Sequence, residues 1–121
     1  MWRESSVDDY KLTLRKLALR DDRFIDSLLS DNRASASVSG IDPLPHALLR
    51  LAALIAIDAA PPSYMSAVEA GLEAGASYDE IVGTLIAVMP IVGVARVVSA
   101  APKLGLALGY DVSGALELVD G

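Results

Sequence analysis

Residues 60–81 carry a helix with both ends written out, a short turn and the start of a second helix, and this constrains the chain more than any other stretch. Pro61 and Pro62 suit a helix entrance, because the first helical positions have no intrahelical use for an N–H. Gly75 suits the exit, where a left-handed residue is needed and glycine takes that conformation without steric cost. Ser77 then caps the next helix, with Glu80 three residues on to complete a capping box. The unit is a helical hairpin, and the fold class it predicts is all-α.

The flanking sequence extends that reading. Ser6 with Asp9 makes a capping box for a first helix, whose apolar positions Tyr10, Leu14 and Leu17 recur at helical spacing. Residues 19–23 read as a break, with Asp21 or Asp22 capping a second helix that carries Phe24, Ile25, Leu28 and Leu29. Lys11, Arg15, Lys16, Arg20 and Arg23 form a solvated face balanced by Asp8, Asp9, Asp21, Asp22 and Asp26. Residues 30–40 are small and polar without a visible period and read as a loop. Asp42 and Pro43 open the next helix as N-cap and first helical residue. Its body, 46–58, is apolar nearly all round, which predicts a buried helix. Pro90 should end or kink the helix that begins at Ser77. Pro102 and Gly105 should kink or break the last helix near Ala101, since an interior proline costs ~3 kcal/mol. The division expected is one domain over 1–121, with a helical arm and loop at 1–40, core helices at 41–108 and a weakly structured tail at 109–121, where Leu116, Leu118 and Val119 could dock on a neighbour.

Composition removes several kinds of function. The formal net charge is −6 and the ten basic residues are scattered, whereas phosphate backbones need clustered Lys and Arg, so no nucleic-acid partner is expected. There is no cysteine and a single histidine, so no disulfide, thiolate nucleophile or zinc site is expected, and no cofactor. The N-terminus lacks a signal-peptide core, which makes the cytoplasm the default compartment. The uncharged run 81–95 is shorter than the ~20 residues a span requires, so no membrane segment is expected.

The hairpin described above, with Gly75 and the Ser77–Glu80 capping box, resembles the central hairpin of the carboxymuconolactone decarboxylase family, which includes the alkyl hydroperoxidase D-like proteins. The similarity covers about 12–108 and implies a single-domain fold of about six helices assembled as a trimer or hexamer. Many members open this helix with Cys-x-x-Cys-x-x-x-His; in register, those positions hold Ala60, Ser63 and Ala67. The family glutamate of the preceding helix falls at Ala47 or Leu48, and a later Tyr-x-Gly-x-Pro falls at Ile91, Gly93 and Ala95. Only the glycine is retained. The peroxide chemistry of the family needs a thiolate and a resolving cysteine, and this chain has neither.

The polar groups left are few. His46 lies one turn before Arg50, so the two share a helix face and could bind a small carboxylate ligand. Alternatively, His46 flanks a helix start and Arg50 pairs with a carboxylate at a subunit contact. Ser63 stands at a cysteine position without a matched histidine, and helix capping is its simpler role. Tyr64 lines a pocket or covers apolar surface. Asp79 and Glu80 sit in a first helical turn, where anions favour the dipole. Three functions follow as expectations, in falling order: a homo-oligomeric binding or structural protein without the family's redox activity, a small-molecule lyase of decarboxylase or isomerase type using a cavity near His46 and Arg50, and last a membrane-surface or integral protein.

Overall fold

The computed structural model describes residues 2–120, with side chains over 9–31 and 33–116. Eight α-helices follow in order among the described residues: α1 (Trp2–Ala18), α2 (Asp22–Leu29), α3 (Asn32–Ser39), α4 (Pro43–Ala56), α5 (Pro61–Glu73), α6 (Tyr78–Val92), α7 (Val94–Ala107) and α8 (Val112–Asp120). The chain divides into two compact units, an arm unit at 1–41 and a core unit at 42–121.

Within the arm unit, α1 begins before Ser6, so that residue lies inside the helix and not at its cap. Arg20 takes a left-handed φ of 54° after α1. The N–H groups of Arg20 and Asp21 then return to the Leu17 and Lys16 carbonyls, which is a Schellman ending. Asp21 caps α2, its carboxylate accepting from the Phe24 N–H at 3.1 Å. The expected loop at 30–40 is instead helix α3. Asp31 accepts from the Arg33 N–H at 2.9 Å and Gly40 closes the other end in the left-handed region. Both caps were in the sequence, but the serines between them hid a helix that its ends stabilise. No described residue of the arm unit is buried; Phe24, Ile25 and Leu28 are half-buried, and the Lys16 ammonium stands 5.2 Å above the Phe24 ring.

In the core unit, α4, α5, α6 and α7 each contact the other three, and α8 packs on α7. Each of the four contributes a stripe at helical spacing: Ala47, Leu51 and Ile55; Tyr64, Val68 and Gly71; Ile81, Thr84 and Leu85; Val97, Ala100 and Leu104. The buried Thr84 hydroxyl is satisfied by donating to the Glu80 carbonyl at 3.2 Å. The expectation that the 46–58 body is buried on every face is corrected: only one stripe of α4 is covered within the chain, and Leu49 and Ile57 are exposed.

The α5–α6 hairpin forms as its sequence dictates. Gly75 has φ 94°. The Ala76 N–H bonds the Gly71 carbonyl at 2.9 Å and the Gly75 N–H bonds the Leu72 carbonyl at 3.0 Å, a complete Schellman motif. The Ser77–Glu80 box is reciprocal, at 3.0 and 2.9 Å. At α4, Asp42 occupies the N-cap position but its side chain makes no cap hydrogen bond. The residue three positions on is Pro45, which has no N–H to offer.

Neither Pro90 nor Pro102 ends its helix. α6 runs through Pro90 and ends at Gly93, whose φ of 91° and ψ of 160° are open essentially to glycine alone. α7 is continuous through Pro102 and Gly105. Val98, whose carbonyl loses its donor at Pro102, lies on the exposed side of the helix, while Ala100 and Leu104 anchor the other side in the core. Gly105 has a different task from breaking a helix. A Cβ there would stand 2.9 Å from the Tyr110 carbonyl oxygen and 2.8 Å from a Val112 methyl, so the glycine admits the turn into α8. The expected loose tail is helix α8, started by the Asp111 carboxylate accepting from the Gly114 N–H at 2.9 Å. Leu118 and Val119 lie outside the described side chains.

Candidate functional site

The four residues singled out by sequence lie on α4 and α5. His46 is half-buried and Arg50 exposed, one turn apart on α4 as the spacing requires. Tyr64 is fully buried in the core, and its hydroxyl donates to the Leu54 carbonyl at 3.3 Å. It is therefore a packing residue that also satisfies the C-terminal end of α4. Ser63 is exposed in the first turn of α5, its N–H bonding the Ala60 carbonyl at 3.0 Å. Its expected capping role is corrected: Ala60 is the N-cap, and no side chain caps this helix. The Cys-x-x-Cys-x-x-x-His positions read Ala60 exposed, Ser63 exposed and Ala67 half-buried against the core, while Ala47 is buried.

The structure assembles a polar cluster that the sequence did not announce. After α4, Asp58 takes the left-handed conformation with φ 54°. The Asp58 and Ala59 N–H groups return to the Ile55 and Leu54 carbonyls, so a non-glycine residue completes a Schellman ending here. That geometry presents the Asp58 carboxylate to α7. Its Oδ1 accepts from the Ser99 hydroxyl at 2.6 Å and from the Lys103 ammonium at 3.1 Å. Lys103 also donates to the Ala59 carbonyl at 3.0 Å. Ser99 and Lys103 are four residues apart on α7 and so share a face. Their partner lies more than forty residues away in sequence, and only the packing of α4 on α7 brings the groups together.

The electrostatics decide what this cluster can do. The Ser99 hydrogen bond, then that of Lys103, and the charges of Lys103 and Arg96 hold the Asp58 carboxyl below its ordinary range. A carboxylate so stabilised is a poor proton acceptor near neutrality. Ser99 has its proton committed to that weakly basic carboxylate. Burial, and then the negative charge of Asp58, raise the Tyr64 phenol, which stays protonated and keeps donating to Leu54. The arrangement is a clamp between the α4–α5 turn and α7.

Among the described residues, no group of three or more His, Cys, Asp or Glu side chains is placed to hold a metal ion. None of their helices is alone long and apolar enough to cross a membrane. No protein-family model, no curated protein and no solved structure matches the chain. Fold and cluster together define an all-α protein whose core unit contains four mutually packed helices, clamped by Asp58, Ser99 and Lys103.

Proposed function

We propose that this chain is a cytoplasmic homo-oligomeric binding or structural protein of carboxymuconolactone decarboxylase-like type, working without that family's redox chemistry. One observation carries the reading. The uncharged run 81–95 presents Val82, Ile86 and Ile91 to the outside, and Val94 and Val98 continue the exposure along α7. Ile91 is 87% exposed and Ile86 68%. Val82, Ile86 and Pro90 share one face of α6, and Val94 and Val98 share one face of α7. A run of exposed apolar side chains of this length, with Arg96 the one charge among them, is uncommon on a soluble monomer and suits an interface. The residues Ala47, Ala60 and Ala67 at the family's chemical positions favour assembly over catalysis, and a trimer or hexamer is the expected state. Light scattering at micromolar concentration tests it: the expected mass is a multiple of 12.7 kDa. The double variant Ile86→Asp/Val94→Asp should dissociate the assembly, and a wild-type chain that is a stable monomer on dilution overturns the reading.

A second reading rests on His46 and Arg50, which share a surface-accessible face of α4. A small carboxylate bound there would support a lyase. Calorimetric titration with a dicarboxylate should then show binding that His46→Ala and Arg50→Ala each weaken without loss of helicity.

A further inference from the structure

The core unit has two ends of opposite character. Its chain passes from α4 to α5 through residues 57–60, from α5 to α6 through 74–77, and from α6 to α7 at Gly93. Consecutive helices pack on each other, and turns this short reverse the chain. The 57–60 and Gly93 turns therefore lie at one end of the unit and the 74–77 turn at the other. The bond from Ser99, in the second turn of α7, to Asp58 agrees with this placement. The first end exposes Ile57, Ile91 and Val94, with Pro61 and Pro62 beside them in the chain order and also exposed. The second end carries Asp42, Glu73, Asp79, Glu80 and Asp111, all exposed, with no lysine or arginine among residues 42–46, 73–80 or 108–111. We propose that two copies meet through their apolar ends about a two-fold axis, with the acidic ends outermost; this specifies a contact within the oligomer proposed above and rests on that reading.

Charge selects both the occupant and its orientation. A head-to-tail contact would press the apolar end of one copy onto the carboxylates of the next, and burying unpaired acids against apolar surface is costly. Two acidic ends would repel each other. The apolar end set against itself removes Ile57, Ile91 and Val94 from water and buries no unpaired acid, because Asp58 is already paired with Lys103 in its own chain at 3.1 Å. Arg96 acts on the same carboxylate, so the charges at this end are offset within each copy. A surface that meets itself is isologous and closes at two copies. Of the states proposed above, this contact belongs to a hexamer made of three dimers, since a ring trimer contains no two-fold axis. An anionic membrane is the weaker occupant, because the chain as a whole carries −6 and would be repelled from it.

The absence of cysteine makes the test direct, since an introduced thiol is the only one present. Ile91→Cys, Tyr78→Cys and Tyr110→Cys are made separately in the full chain and treated with a short bis-maleimide. Tyr78 and Tyr110 lie at the acidic end and are exposed, so they report linking that owes nothing to the apolar end. The expected yield of covalent dimer from Ile91→Cys is at least about tenfold that of either control, because an assembled contact holds its two thiols at high effective concentration. Ile91→Asp should halve the mass read by light scattering, while Tyr78→Asp leaves it unchanged and circular dichroism shows both variants folded. An oligomer of trimer mass, or one whose acidic-end cysteines link as well as Ile91→Cys, overturns the end-on contact and leaves the oligomer reading standing. A monomer, whether free or carried down by phosphatidylglycerol vesicles, overturns both.

Discussion

The arm unit and the core unit are built from the same kind of local signal and differ in what those signals lead to. In both, aspartate or serine caps start helices and left-handed residues end them: Asp21, Asp31, Arg20 and Gly40 in one, Ser77, Asp111, Asp58, Gly75 and Gly109 in the other. The arm nevertheless buries none of its described residues, whereas the core unit closes around Leu51, Ile55, Tyr64, Ile81, Ala100 and Leu104. Caps contribute about 1 kcal/mol each to a helix, which is enough to place its ends. They cannot supply a second apolar face for that helix to meet. The core unit has four helices in mutual contact and so has those faces; the arm has Leu14, Leu17 and Leu29 on the outside.

That contrast can be broken by measurement, beginning with its centre. Tyr64→Ala should cost about 3–5 kcal/mol of stability, the range for truncating a buried aromatic, read from urea unfolding followed by circular dichroism. A loss under about 1 kcal/mol would mean that the core is not organised around Tyr64.

Gly105→Ala comes next. The new methyl meets a backbone oxygen and a valine methyl, and overpacking of that kind costs about 1–3 kcal/mol. At Gly83 nothing lies within 4 Å of the added carbon. The same substitution there should stabilise by about 0.5–1 kcal/mol, as Gly→Ala does in an unobstructed helix interior. If Gly83→Ala instead lowers stability in a way that depends on protein concentration, a second copy approaches α6 closely at that residue.

The Asp58 clamp should add a smaller, pH-dependent contribution to the core unit. Its carboxyl is lowered from an ordinary value of 3.8 in the folded state. The stabilisation it gives is therefore complete above the unfolded value and lost as pH falls below about 4 through the folded one. The urea midpoint of the wild type should drop over that window, and the drop should be shallower in Asp58→Asn, which keeps a residue tolerant of φ 54°. Equal pH profiles for the two would show that the Ser99 and Lys103 bonds do not stabilise the fold.

The smallest effect is expected in the arm. Leu29 is 78% exposed, and Leu29→Ala should change stability by no more than about 0.5 kcal/mol. A loss several times larger, dependent on protein concentration, would show that this face is covered by a second copy.

Sequence alone determined the all-α class and the ends of most helices, because caps and left-handed closures act within four or five residues and are spelled out by Asp, Ser, Pro and Gly. The Gly75 closure and the Ser77–Glu80 box appear in the structure where the residues placed them. Even α3 and α8 had legible caps at Asp31 and Asp111; their small residues concealed them. What the tertiary structure decided was non-local. Pro102 and Gly105 did not break α7, because Ala100 and Leu104 fix it in the core and α8 needs the space that Gly105 leaves. Tyr64 became a core residue because it packs among the buried side chains of the four helices, where its hydroxyl finds the Leu54 carbonyl. Asp58 met Ser99 and Lys103 across more than forty residues. No period or spacing reports such a meeting, since it depends on which faces of α4 and α7 pack together.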